Sequence, residues 1–297
     1  MTGAKWNWVR AAVLAGCLFA GTKTTLAQGQ SPAQGSQGSG QSGSDPAAQK
    51  PAESTGSSLE ITPAPPPVNA EEEAAYKAFD TMPVADAPKK IAAGEEFVQK
   101  YPESRYRPMV YSLLVFEYIQ QNNTQKAFEV GEKELALRPD DVRTLAILGQ
   151  AMSRAITKDT PEPGKQLAKA EIYSKKAIEL TPTIPKPDGV SDQEFVVAKN
   201  ATLAIAHSGL GLADFRRGKY TDAIAELETS IKIDPNPTPD VVNLYLLGMA
   251  DQKASRFDDA ASAFSKCAAM TGGLQQTCKS GADEAKKQAG TQLSAPK

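Results

Sequence analysis

Histidine is almost missing from this chain, with His207 the single copy among 297 residues. Cysteine is scarce as well, at three, and both tryptophans, Trp6 and Trp8, stand near the N-terminus. A lone histidine without Cys, Asp or Glu at ligand spacing makes neither a zinc site nor a catalytic triad, so His207 is expected to be a packing residue. GxSxG, HExxH and a phosphate-binding Gly-Lys-Ser/Thr are absent. Gly38-Ser39-Gly40-Gln41-Ser42-Gly43 matches GxGxxG but has neither a strand before it nor a helix after it. Acidic pairs such as Asp258-Asp259 and Glu95-Glu96 lie among lysines and read as solvated helix faces. No enzyme activity, cofactor or metal is therefore expected. A net charge of -2 with no basic cluster argues against nucleic acid, which demands concentrated Lys and Arg. No apolar run approaches the roughly 20 residues of a membrane span, and strand signals are lacking.

What is present begins with a leader. Lys5 and Arg10 precede the apolar run Ala11 to Gly21, and Thr25-Leu26-Ala27 supplies small residues at a cleavage site. Export with cleavage after Ala27 is the simpler reading. Leu14-Ala15-Gly16-Cys17 resembles the lipobox of bacterial lipoproteins, so lipidation of Cys17 stays open as the alternative. Either way Cys267 and Cys278 are the cysteines left. In an oxidising compartment they suggest a disulfide, against two unrelated small core residues. From 28 to 70 the chain is Gly, Ser, Gln, Ala and Pro with almost no large apolar residue, which cannot offset the entropy of ordering. A disordered linker is expected there, with Pro63-Ala64-Pro65-Pro66-Pro67 locally extended.

From Glu71 to about Gln288 apolar residues recur three and four apart, with Pro or Gly breaks every dozen or so residues. A repeat can be aligned by hand. Leu210-Gly211, Gly218-Lys219-Tyr220, Ala223, Leu227 and Asp234-Pro235 are followed 37 residues later by Leu247-Gly248, Ser255-Arg256-Phe257, Ala260 and Phe264. Degenerate units keep the frame at Tyr111, Leu114, Tyr118, Ala127 and Arg138-Pro139, and at Leu148-Gly149, Met152, Ala170, Ala177 and Thr181-Pro182. This pattern resembles the tetratricopeptide repeat (TPR) family, and Phe97 to Tyr106 resembles units of exported bacterial envelope repeat proteins. The physics agrees: small residues let paired helices approach, and no unit buries its apolar face alone.

The resemblance implies an all-α, right-handed α-solenoid of about five TPR-like hairpins with a C-terminal capping helix. The expected organisation is a signal peptide over 1–27, the linker over 28–70, the repeat domain over 71–289 and a disordered tail over 290–297. The family's concave face maps to Met109, Phe116, Ile119, Ile205, Leu212, Phe215, Arg216, Val242, Tyr245, Met249 and Lys253, unusually apolar for positions facing water. Two alternatives stand: these residues bind an apolar or amphipathic partner segment, or the insertion Thr183 to Glu194 fills the groove. Ser112 and Phe116 replace the Lys and Asn of the carboxylate clamp in chaperone-binding relatives. The expected function is a non-enzymatic protein-interaction scaffold, periplasmic, with a protein or peptide of the cell envelope as partner. The alternative is an accessory subunit of an outer-membrane assembly or secretion machine, lipid-anchored to the outer membrane.

Overall fold

Capping side chains and prolines set where the helices start. Asn123, Asp141, Ser191 and Asp240 each accept a backbone N–H from the first turn that follows, supplying one of the partners that turn lacks. Pro88, Pro108 and Pro163 fall in first turns, where an absent N–H removes no helical bond. The computed structural model describes residues 69–83 and 86–293. The expected signal peptide with Cys17, and the linker up to residue 68, lie outside the described residues.

Eleven α-helices and no strand occur among the described residues. They form five hairpins: α1 (Ala70–Asp80) with α2 (Ala87–Lys100), α3 (Arg107–Gln120) with α4 (Thr124–Leu137), α5 (Val142–Ala155) with α6 (Pro163–Leu180), α7 (Asp192–Arg216) with α8 (Tyr220–Ile233), and α9 (Val241–Lys253) with α10 (Phe257–Ala268). A closing helix, α11 (Gln275–Leu293), packs on α10. The chain is an all-α, TPR-like solenoid. No described helix is long and apolar enough to cross a membrane.

Three hairpin turns share one backbone solution. Asn122, Gly218 and Ser255 have φ of 56°, 75° and 61°. The next residue's N–H reaches back to Tyr118 O, Asp214 O and Asp251 O respectively. This is the left-handed helix ending that satisfies carbonyls a helix would otherwise leave open. Glycine fits it freely, whereas Ser255 adopts it at a cost.

Close approach within a hairpin depends on the small residues of the repeat. A Cβ on Gly248 would lie 2.7 Å from the Phe264 ring, so only glycine lets α9 and α10 meet there. Between hairpins, a Cβ on Gly209 would fall 2.7 Å from the backbone N of Gln150. α5 and α7 thus touch almost backbone to backbone.

α11 buries Cys278, Ala282, Ala285 and Ala289 and turns Lys279, Asp283, Glu284, Lys286 and Lys287 to solvent. That pattern suits the last helix of a stack. Cys267 of α10 and Cys278 are disulfide-bonded, with Cα atoms 5.8 Å apart. The helix runs to Leu293, past the expected boundary at 289.

The insertion after α6 folds locally. A 3-10 turn at Thr181–Thr183 leads into a loop whose Val190 packs on Phe195 and Ala198 of α7. Lys199 donates to the carbonyl of Pro182. The insertion is therefore seated on the helix it introduces.

Candidate functional site

The expected groove positions lie on α3, α7 and α9, the first helices of the second, fourth and fifth hairpins. The structure gathers them into two groups. Met109, Phe116, Ile119 and Ile205 adjoin the large N-terminal core. Leu212, Phe215, Val242 and Tyr245 meet in a smaller cluster, and Met249 joins Tyr245 beside Phe264.

Openness varies within each group. Phe116 is 7% exposed and Leu212 5%, so both pack inward and offer a partner little surface. The physical reason lies in helix pairing: Phe116 sits with Arg143 of the next hairpin, whose guanidinium is 5.5 Å from its ring, and Leu212 packs on Leu227 and Leu246. Phe215 is half-buried, edge-on to Tyr220 at 5.7 Å. Tyr245 is half-buried and tilted on Phe264 at 6.0 Å. Met109, Ile119, Ile205, Val242 and Met249 are also half-buried, while Arg216 and Lys253 are exposed. Tyr76 donates its hydroxyl to Met109 Sδ at 3.8 Å.

Behind the N-terminal group lies a buried charge cluster. Lys90 Nζ is 3.5 Å from Glu117, both almost fully enclosed, next to Arg143. Burial pushes the Glu117 carboxyl up, opposed by Lys90 and Arg143. It holds the Arg143 guanidinium below its usual value. On α4, burial raises Glu134 to about 8, with repulsion from Asp141 adding and Arg138 opposing. Removing one partner of such a cluster would strand the other without solvent.

Polar side chains knit successive first helices together. Gln150 donates to Ser208 Oγ at 2.9 Å, Ser208 to Asn243 Oδ1 at 2.7 Å, Asn243 to Ser230 Oγ at 3.2 Å, and Ser230 to the Ala204 carbonyl at 2.8 Å. The chain of donors runs through α5, α7, α9 and α8. Arg154, at the end of α5, pairs with Asp240, the cap of α9, at 2.5 Å. That contact joins the third hairpin directly to the fifth. In the sequence Asp240 shows only the signature of a helix cap, and nothing there indicates its partner 86 residues away.

His207 Nδ1 lies 2.6 Å from Glu226 of α8, tying the two helices of one hairpin. No group of three or more His, Cys, Asp or Glu that could hold a metal ion occurs among the described residues. An open cavity of about 360 Å³ at the C-terminal end is lined by Phe257 and by Glu284, Lys287, Gln288, Thr291 and Gln292 of α11. Gln252, next to Lys253, donates to Gln288 at 2.8 Å, which places the cavity beside the end of α9.

No family model matches the chain, and no curated protein matches it. Among solved structures it is similar to PilW, described as a widely conserved type IV pilus biogenesis factor, at 16% identity and a TM-score of 0.48, covering 77% of this chain and 97% of that one. It is similar to the MamA RS-1 ArsTM double mutant at 15% identity and a TM-score of 0.47, covering 67% and 93%. TTC0263, a thermophilic TPR protein in Thermus thermophilus, is similar at 16% identity and a TM-score of 0.45, covering 72% and 98%.

Proposed function

We propose that the chain is a non-enzymatic protein-interaction scaffold of the cell envelope, holding a segment of a partner protein along the first helices of its last two hairpins. One observation carries this reading: on α7 and α9 the half-buried Phe215, Val242, Tyr245 and Met249 share their helices with exposed Arg216 and Lys253. Half-open apolar side chains on a rigid stack suit capture of an extended or helical segment. The export leader supports an envelope location. Leu14-Ala15-Gly16-Cys17 favours, as a second reading, a lipid-anchored subunit of an envelope assembly or secretion machine. Intact mass separates the two, since an acylated N-terminal Cys17 and a chain starting at Gln28 differ.

The groove itself is tested by a photo-crosslinking residue at Val242 in cells, with Ile172 on α6, 62% exposed, as the control position. A discrete adduct from position 242 and none from 172 is expected. Equal capture at both positions, or none at 242, would overturn the groove.

A further inference from the structure

Arg154, Arg216 and Lys253 occupy the same register at the ends of α5, α7 and α9, the first helices of three successive hairpins. Their surroundings differ. Arg154 is occupied by the Asp240 carboxylate. No ion pair joins Arg216 or Lys253 to another described residue, whereas their neighbours Arg217, Lys219 and Arg256 all pair with acids. Although Arg216 is exposed overall, desolvation of its guanidinium holds it below its usual value. Arg216 directly follows half-buried Phe215, and Lys253 ends the helix that carries half-buried Tyr245 and Met249.

Resting on the groove reading above, we infer that the partner segment is acidic and extended, with carboxylates on Arg216 and Lys253 and an apolar side chain in the cavity beside Phe257. The Arg154 pair shows the ligand this register accepts, a carboxylate. Neighbouring helix axes lie about 8–10 Å apart, and an extended chain advances about 3.3 Å per residue. The two carboxylates therefore stand about three residues apart. The cavity adjoins Lys253 through the Gln252 to Gln288 bond, and its wall includes Lys287 as well as Glu284. An apolar residue just beyond the second carboxylate reaches it. Two cations are too few to hold a nucleic-acid backbone, whose binding needs many phosphate contacts.

The probe is a fluorescein-labelled twelve-residue peptide with two glutamates three residues apart and a leucine after the second, titrated into the purified full chain. Three companions replace both glutamates by glutamine, both by lysine, or the leucine by alanine. The acidic peptide is expected to bind at least tenfold more tightly than the glutamine copy, with the gap shrinking as salt rises. The pair R216Q and K253Q should erase that difference while leaving the helical circular dichroism unchanged. Loss of affinity on replacing the leucine marks the cavity.

Equal binding of the acidic and glutamine peptides would overturn the acidic partner and leave the groove standing. Failure of every peptide, together with no adduct at Val242, would overturn both. Binding to phosphatidylglycerol vesicles that R216Q and K253Q abolish, without peptide binding, would assign the site to a membrane surface. Binding of a second copy, seen as a concentration-dependent dimer lost in the same variants, would equally remove the proposal.

Discussion

The two ends of the stack are built differently. The first two hairpins, whose repeat motif is the harder to read, contribute Tyr76, Phe79, Phe97, Tyr106 and Leu114 to one large core that also takes in Leu148 of the third. Tyr76 and Tyr106 stack there with ring centroids 4.2 Å apart. The last hairpin and α11, with the clearest motif, bury four alanines and two cysteines among the eight residues of their core. A legible repeat signals where helices come close, because Gly and Ala at fixed positions are what close approach requires. It does not measure how much apolar bulk a region buries. The N-terminal hairpins fill their core with aromatic rings, and the C-terminal end adds a disulfide.

Breaking the bulky core should produce the largest effect. Phe79 is 1% exposed, and Phe79→Ala is expected to cost about 3–5 kcal/mol through lost burial and a cavity. Urea denaturation measures this, and a loss below about 1 kcal/mol would mean the rings are not what holds the N-terminal end.

Removing the Cys267–Cys278 bond is expected to cost about 2–4 kcal/mol. Hydrogen exchange should then rise in α10 and α11 before α1 to α4, marking the loss as local to the C-terminal end. Thiol labelling of the unreduced protein provides the control, since two reactive cysteines would show that the bond does not form.

Small-to-large changes sharpen the contrast further. Gly209→Ala is expected to cost about 1–3 kcal/mol, because its Cβ would meet the backbone of Gln150, which cannot yield. Gly94→Ala meets Leu114 Cδ2 and Phe79 Cε2 at 2.8 Å, side-chain atoms that can shift. It should cost less than Gly209→Ala in the same melting experiment. The reverse order would place the tighter packing at the N-terminal end.

The smallest effect concerns the shared turn. Ser255→Gly should stabilise and Gly218→Ser destabilise, each by about 1 kcal/mol or less, since both positions hold positive φ. Matching signs in thermal melts would show that the two turns are not equivalent.

Much of the architecture was legible in the chain. Leu210-Gly211 and Leu247-Gly248 mark helices that pack on Leu227 and Phe264, as the repeat spacing implies. The 25-residue length of α7 was not, because Asp192 to Asn200 carries no distinctive boundary and the Ser191 to Glu194 capping box lies inside what reads as an insertion. Among the candidate site residues, Phe116 and Leu212 could not be separated from Tyr245 and Met249. All four are apolar residues of first helices, and which ones close depends on the neighbouring helix.

By itself the sequence determined the helical class, the hairpin register and the position of the capping helix, because periodicity, glycine and alanine spacing and capping residues are local properties of the chain. Only the tertiary structure decided which cations remain unpaired and which apolar groove positions remain open. Arg154 is taken by Asp240 while Arg216 and Lys253 pair with no described residue. That outcome depends on how successive hairpins are angled, and the angle comes from contacts such as Gly209 against Gln150, between residues far apart in sequence.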